Sequence, residues 1–318
     1  MENKAEKVLQ EIQKVIVGKE EVIKKVLLAL LADGHVLLED VPGVGKTTIA
    51  LCFHKVLGLD YKRISFTPDS VPADITGFSA LNANRTAFEY HQGAVMTNLL
   101  LADEINRTSS KTQSALLEAM QERQITVDAK TYPLPNPFFV LATQNPIGSA
   151  VTQELPLSEL DRFMIKVQIG YPDAESLIKI LQNRHETEPP TRLSPVLSKE
   201  ELLLMKQEVT SVYVEESVYR YMTDLVMETR EHEMVEFGVS PRGAIALCDM
   251  SKACAYVEGR DYVLPTDVAY IFSDVCAHRL VLKRQAKLGG YDEKKVINEV
   301  LEITKQPPIN IAGEKMNR

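Results

Sequence analysis

In the first half of the chain, short apolar runs alternate with longer stretches in which apolar residues recur at helical spacing. The short runs predict strands, since they are rich in aliphatic or aromatic residues and are bounded by Pro, Gly or Asp. In residues 109–123 the apolar positions share one helical face, and Ser109 or Ser110 can cap the first turn. Apolar strands that alternate with helices predict a parallel sheet covered on both sides, an α/β fold. The predicted strands are residues 35–40, 61–67, 98–104, 138–143 and 162–167.

The pattern changes near residue 170. From Ala174 to about Gln306, helical spacing dominates and strand candidates are few. We therefore expect two domains: an α/β core of residues 1–170 and a smaller, all-helical domain of residues 171–318.

Composition and charge narrow the function classes. Of 318 residues, 45% are hydrophobic and 25% are charged, which is typical of a folded globular protein. The net charge of -8 argues against an affinity that comes mainly from nucleic acid phosphates, although a local basic channel is compatible with it. The apolar run at residues 26–32 is far shorter than the ~20 residues that span a bilayer, and the charged amino terminus lacks a signal core. We expect no membrane span and a cytoplasmic protein. The four cysteines lack CxxC spacing and are expected to be buried free thiols.

The stretch HVLLEDVPGVGKTTIA, residues 35–50, reads as a strand, a glycine loop and the start of a helix. It nearly matches the phosphate-binding pattern G-x-x-x-x-G-K-[ST], but Asp40 stands at the first glycine. Glycines let backbone N–H groups surround phosphate oxygens, and the helix directs its positive end at the same anion. Lys46 would reach the β- and γ-phosphates, and the Thr47 hydroxyl would bind Mg²⁺. The predicted cofactors are ATP and Mg²⁺, and the predicted loop residues are Gly43, Val44, Gly45, Lys46, Thr47 and Thr48.

The acid at position 40 need not block this loop. The phosphate-facing amides come mainly from the residues after Gly43, so we expect Asp40 to point away from the polyphosphate, into solvent or toward a basic neighbour.

Two further stretches carry polar residues at strand ends. Asp103 and Glu104 end an apolar run, where Asp103 can hold Mg²⁺ or its water and Glu104 can polarise an attacking water. Two solvated acids that begin a loop are the alternative. Asn145 follows another apolar run and can orient that water, although an Asn-Pro turn would by itself explain it.

The sequence resembles the MoxR family of AAA+ ATPases from about Val15 to Leu280. This resemblance implies an αβα nucleotide domain with a helical lid, a homo-oligomeric ring that is usually a hexamer, and chaperone-like remodelling of client proteins, often ones with von Willebrand A domains. The stretches that carry it are VIVGKEEVIKKVLLALLADGHVLLEDVPGVGKT, KRISFTPDSVPADITG, NLLLADEINRTSSKTQSALLEAMQERQITVD, LATQNP, LPLSELDRFMIKV, FGVSPRGAIAL and LPTDVAYIFSDVCAHRL.

The resemblance also implies roles for individual residues. Asn145 matches sensor 1, Arg162 the arginine finger that reaches a neighbouring subunit, and Arg242 the lid residue called sensor 2. Val17 and Gly18 match the segment beside the adenine base. For each arginine the alternative is a surface ion pair, which contributes little to stability.

Two inserted segments are also implied. Residues 77–93 resemble the helix 2 insert, and residues 124–137 resemble the hairpin before sensor 1. Phe88 and Tyr90 are either pore or partner contacts or the packed face of a hairpin.

Three functions remain in competition. ATP hydrolysis coupled to client remodelling is favoured over a nucleotide-dependent scaffold without turnover, because a scaffold needs none of Glu104, Asn145 and Arg162. A DNA-associated motor is disfavoured by the net charge and by the single basic residue, Lys130, in residues 124–137.

Overall fold

The computed structural model describes residues 4–41, 43–145, 155–183 and 192–308. The chain forms two compact units, residues 1–208 and 209–318. The division by compactness therefore falls after Glu208, whereas the domain boundary predicted from sequence patterning lies at residue 170.

The first unit alternates helices and strands, as the apolar pattern predicts. Its helices are α1 (Lys4–Gln13), α2 (Glu20–Leu31), α3 (Lys46–Val56), α4 (Pro72–Thr76), α5 (Ser110–Glu122), α6 (Leu157–Leu160), α7 (Ala174–Asn183) and α8 (Lys199–Thr210), the last of which ends just beyond the division. Its strands are β1 (Val36–Glu39), β2 (Tyr61–Ser65), β3 (Gly77–Leu81), β4 (Phe88–Gln92), β5 (Leu99–Asp103), β6 (Gln124–Val127), β7 (Lys130–Pro133), β8 (Phe139–Gln144) and β9 (Ile165–Val167).

Five of these strands form a parallel sheet in the order β2-β5-β8-β1-β9. They coincide with the five strands predicted from sequence, and the α/β fold class is confirmed. Strands β1, β5 and β8 are buried along nearly their whole length, and each becomes half-buried only at its last residue. Parallel strands end at the same edge, so these three half-buried termini collect at the carboxyl edge of the sheet.

Helix α5 covers one face of this sheet. Ser109 caps it by accepting a hydrogen bond from the Thr112 backbone N–H at 3.3 Å, which satisfies one free donor of the first turn. Its apolar face, including Leu116 and Met120, packs with alternate residues of the strands such as Leu100 and Val140. The intervening strand residues are buried as well, which explains the absence of an alternating pattern in the sequence.

Two antiparallel hairpins project from the first unit. Strands β3 and β4 pair within residues 77–93, and β6 and β7 pair within residues 124–137. Tyr90 stacks on Tyr132 with ring centroids 4.3 Å apart, and its hydroxyl donates to the Thr76 carbonyl at 2.6 Å. Phe88, by contrast, is 72% exposed. Each of the two interpretations therefore fits one residue. Tyr90 packs against the other hairpin, whereas the exposed side chain of Phe88 can contact a partner.

The second unit is helical, with one two-stranded antiparallel sheet of β10 (Val235–Phe237) and β11 (Val281–Leu282) that the sequence pattern did not predict. Within the described residues, no helix has the length and apolar character that crossing a membrane requires. The four cysteines are free, as expected, and three are buried. The helices are α9 (Glu216–Glu231), α10 (Pro241–Val257), α11 (Pro265–Cys276), α12 (Arg284–Leu288) and α13 (Glu293–Ile303).

Candidate nucleotide site

The glycine loop leaves β1 at the carboxyl edge of the sheet and leads into α3. Gly43 and Gly45 have φ values of +88° and +99°, a left-handed conformation that glycine adopts without steric cost. A Cβ atom built on either residue would meet no atom within 4 Å. The loop thus has open space above its backbone, and the unpaired N–H groups of the first turn of α3 lie at its end. Both features fit a bound polyphosphate.

Lys46, the first residue of α3, turns back over the loop. Its ammonium group donates to the Asp40 carbonyl and to the Gln144 carbonyl, the latter at 3.3 Å. Burial lowers the pKa of Lys46, and the negative charges of Asp40, Asp103, Glu104 and Glu39 oppose that shift. Lys46 is therefore a half-buried cation at the ends of β1 and β8, within the field of the acids that end β5.

Asp40 does not take either orientation expected from the sequence. One carboxylate oxygen accepts from the Val41 N–H at 2.8 Å, and the other accepts from the Gly170 N–H at 2.5 Å. The carboxylate thus binds backbone amides instead of facing solvent or a basic side chain, because Gly170 follows β9 and returns to the same edge of the sheet.

The two acids at the end of β5 are held in different ways. Thr143 of β8 donates its hydroxyl to Asp103 at 2.6 Å and accepts the Glu104 backbone N–H at 2.9 Å. Arg63 pairs with the second oxygen of Asp103 at 2.6 Å. Arg107 pairs with Glu104 at 2.6 Å. The alternative interpretation, two freely solvated acids, does not apply to Asp103, because side chains from both neighbouring strands bind its carboxylate.

Glu104 has an unusual backbone conformation. Its φ and ψ are 57° and 49°, the left-handed region that residues other than glycine seldom occupy. Strain of this kind is concentrated at functional sites and persists only where surrounding contacts enforce it. The hydrogen bond from its N–H to Thr143 is one such contact.

Asn145 follows β8 at the same edge. Its backbone carbonyl accepts a hydrogen bond from the Asn106 side chain at 3.1 Å. The neighbouring Ile105 carbonyl accepts one from the Gln113 side chain of α5 at 3.0 Å. This polar layer links the end of β8 to the segment after β5. The Asn-Pro turn that was the alternative interpretation involves Pro146, which lies outside the described residues.

A cavity of about 490 Å³ adjoins the loop, which is in the usual range for a small-molecule site. Its remaining walls come from the segment before α2, from the segment after β9 and from α7; these residues are Val15, Ile16, Val17, Lys19, Ile169, Tyr171, Pro172, Leu177 and Ile180. Gly18 does not line it; a Cβ there would collide with the Ser176 side chain, so this glycine allows α7 to pack closely against the segment before α2. The predicted nucleotide residues that do line the cavity are Val17, Gly43, Val44, Gly45 and Thr48.

Neither of the two predicted arginines is among the residues that line this cavity. Arg162 precedes β9, at the amino edge of the sheet, and its Nε is buried without a hydrogen-bond partner among the described residues. Arg242 is exposed in the first turn of α10 in the second unit. A cation at the amino terminus of a helix is unfavourable for the helix dipole.

Sequence reasoning missed Arg63, Thr143 and Arg107, which contact the two acids. The only local signal for Thr143 is its place two residues before Asn145. Arg63 resembles an ordinary surface arginine until the sheet order brings it to Asp103, whereas Arg107 pairs with Glu104 only three residues earlier in the chain.

A glycine loop after β1, acids at the end of β5 and an intervening strand β8 define a P-loop nucleotide-binding protein. Residues 35–165 match the family described as ATPase family associated with various cellular activities (AAA), and residues 227–300 match the AAA lid domain.

Similar proteins specify the family further. YeaC of Bacillus subtilis is 46% identical over 95% of this chain and 94% of its own length. Chaperone MoxR1 of Mycobacterium tuberculosis is 40% identical over 98% of this chain and 84% of its own. A crystal structure of a protein assigned to the ATPases, from Cytophaga hutchinsonii, superposes with a TM-score of 0.90 at 38% identity and covers 96% of both chains. The chain belongs to the MoxR family of AAA+ ATPases.

Proposed function

We propose that this protein hydrolyses ATP to ADP and phosphate in a ring of identical subunits and uses the reaction to remodel or activate a client protein. The observation that carries the hydrolytic part is the convergence of Lys46, Asp103 and Glu104 at the end of β8. Lys46 donates to the Gln144 carbonyl at 3.3 Å, and the adjacent Thr143 contacts Asp103 at 2.6 Å and the Glu104 N–H at 2.9 Å. A nucleotide loop without the two acids would support binding alone.

Each group has a role that its position supports. The amides of residues 43–48 and the Lys46 ammonium bind the phosphates. Thr47 and Asp103 supply the hydroxyl and carboxylate oxygens that Mg²⁺ prefers, and the ion would neutralise charge on the phosphate oxygens. Glu104 accepts a hydrogen bond from the attacking water, and Asn145 orients that water. The water oxygen bonds to the γ-phosphorus as the bond to the bridging oxygen breaks, one water proton passes by way of the Glu104 carboxylate to the phosphate oxygens, and ADP and inorganic phosphate leave.

The sheet topology supports the assignment of Arg162 to a neighbouring subunit's site. Val36, at the start of β1, pairs with Ile165, at the start of β9, so Arg162 precedes the amino edge. The glycine loop begins beyond the other end of β1. At about 3.3 Å per residue, the four residues of β1 separate these edges by roughly 13 Å along the strand. Arg162 is therefore better placed to complete the site of the next subunit, and a closed ring lets every subunit give and receive it.

Client remodelling is supported by the relative named Chaperone MoxR1 and by exposed apolar residues on the β3–β4 hairpin, Phe78, Leu81 and Phe88. A client with a von Willebrand A domain rests on the family resemblance alone. The scaffold alternative leaves the strained Glu104 unexplained. A DNA motor is disfavoured because the β6–β7 hairpin holds one basic residue, Lys130, and because the net charge of -8 repels nucleic acid phosphates.

Two variants separate binding from turnover. Lys46→Ala should weaken ATP binding, whereas Glu104→Gln should keep binding and lose roughly 10²–10⁴ in phosphate release, because only the water-activating group is changed. ATP affinity and steady-state phosphate release are measured on both. Turnover by Glu104→Gln at the parent rate would show that Glu104 does not activate the water. Cross-linking of this ATP-holding variant in its native cell then identifies the client.

A further inference from the structure

Asp40 connects four parts of the nucleotide site. Its backbone N–H donates to the Gln144 carbonyl at 3.1 Å, and its carbonyl accepts from the Lys46 ammonium. Its carboxylate accepts from Val41, inside the glycine loop, and from Gly170 at 2.5 Å. A glycine at this position would keep both backbone interactions and lose both carboxylate interactions.

Gly170 lies between two residues that line the adjoining cavity. These neighbours, Ile169 and Tyr171, line it together with the loop residues Gly43 and Val44. The Tyr171 carbonyl in turn accepts from the Lys19 ammonium at 2.9 Å. The segment of residues 169–172, called here the base wall, is thus attached to the glycine loop through Asp40 and to the segment before α2 through Lys19.

A carboxylate next to a polyphosphate site would ordinarily repel the ligand. Here two backbone N–H groups hold both of its oxygens, and hydrogen bonds to an ionised acceptor are stronger than neutral ones. The negative charge of Asp40 also favours the charged form of Lys46. The acid is therefore accommodated as part of the loop, with its side chain directed to the base wall.

We propose that Asp40 is a positioning residue that holds the base wall against the glycine loop, so that the base and the polyphosphate of one nucleotide bind to a single preformed surface. The inference rests on the proposed nucleotide function. It predicts a selective defect, because a change of the Asp40 side chain keeps the backbone contacts of this residue to Lys46 and Gln144, whereas the base wall loses its attachment to the loop.

The test compares two ligands, Mg·ATP and Mg·tripolyphosphate, which share the phosphates but differ in the nucleoside. Binding of both is measured by isothermal titration calorimetry on the full chain. For Asp40→Gly, the dissociation constant of ATP should rise about 10-fold, equivalent to ~1.4 kcal/mol, whereas that of tripolyphosphate should change less than about two-fold. Asp40→Asn should give an intermediate loss for ATP, because its single amide oxygen can accept only one of the two N–H groups.

The matched control is Asp224→Asn, which removes an exposed carboxylate from α9 and should bind both ligands like the parent. Circular dichroism verifies that each variant is folded, and Asp40→Asn carries the test if Asp40→Gly does not fold. Equal weakening of both ligands, or unchanged ATP affinity, would overturn the role of Asp40 while the proposed ATPase function stands. If the parent protein binds neither ligand, the proposed function fails and the inference with it.

Discussion

The two edges of the parallel sheet hold polar groups in different ways. At the amino edge, His35 is 4% exposed, accepts the Val140 N–H at 3.0 Å through Nδ1 and lies 3.2 Å from the Met120 carbonyl through Nε2. At the carboxyl edge, Asp103, Glu104 and Lys46 are only half-buried. The imidazole is enclosed and bonded at both nitrogens, which serves stability. The carboxyl-edge charges border open space, which leaves them able to meet a ligand.

Arg162 differs from His35 at the amino edge, since its buried Nε has no partner among the described residues. If it acts on a neighbour's ATP, Arg162→Ala should bind ATP normally and lose roughly 10³–10⁵ in turnover. Arg220→Ala, which removes an exposed arginine from α9, is the control and should keep the parent rate.

A mixture of Arg162→Ala with Lys46→Ala should recover partial turnover, because some interfaces then join an intact nucleotide site to an intact arginine. Phosphate release is measured on each variant and on the mixture. Inactive mixtures, with mixed rings demonstrated by native mass spectrometry, would place Arg162 outside the neighbouring site.

At the carboxyl edge, substitution of Thr143 tests whether its hydroxyl holds Asp103 and Glu104 in position. Thr143→Val removes the hydroxyl that donates to Asp103 and accepts from Glu104, so turnover should fall roughly 10- to 100-fold as both groups lose their positions. Leaving the Glu104 N–H unsatisfied should also cost about 1–3 kcal/mol in the free energy of unfolding. Thr143→Ser keeps the hydroxyl and should retain most of the activity. Equal turnover in the Val and Ser variants would show that the Thr143 hydroxyl does not position the two acids.

The smallest expected effect is the pH dependence of stability that His35, at the amino edge, causes. Burial, reinforced by the Arg123 charge, holds the pKa of His35 well below 6.5. The unfolded chain therefore binds a proton near pH 6.5 that the folded protein excludes, so His35 stabilises the fold fully above that pH and progressively less as the pH falls below it.

Urea unfolding between pH 7 and pH 5 should show this loss, with a slope of up to about 1.4 kcal/mol per pH unit from this group. His35→Phe should flatten the slope, although it removes a hydrogen bond and lowers stability at pH 7. His91→Gln, on the exposed β4 strand, should leave the slope unchanged. A His35→Phe slope equal to that of the parent would assign the pH dependence to other groups.

Much of the fold was predictable because it depends on local patterning. The five strands were recognisable as apolar runs, and α5 by its apolar face and its capping serine. The β10–β11 pair was missed because strands of three and two residues are too short to show a period. Tyr90 and Phe88 could not be separated by sequence, since packing against Tyr132 depends on a second hairpin about forty residues later.

The sequence alone determined which chemical groups are available: glycines that free a loop, a lysine and threonines at a helix start, and acids and an amide directly after buried strands. These signals are local, since each depends on residue type next to a strand end or helix start. The tertiary structure decided which groups meet. It brought Thr143 and Arg63 to Asp103, and Gly170 to Asp40. These contacts join segments about forty or more residues apart, and their partners are set by the order of strands in the sheet, which no local pattern encodes.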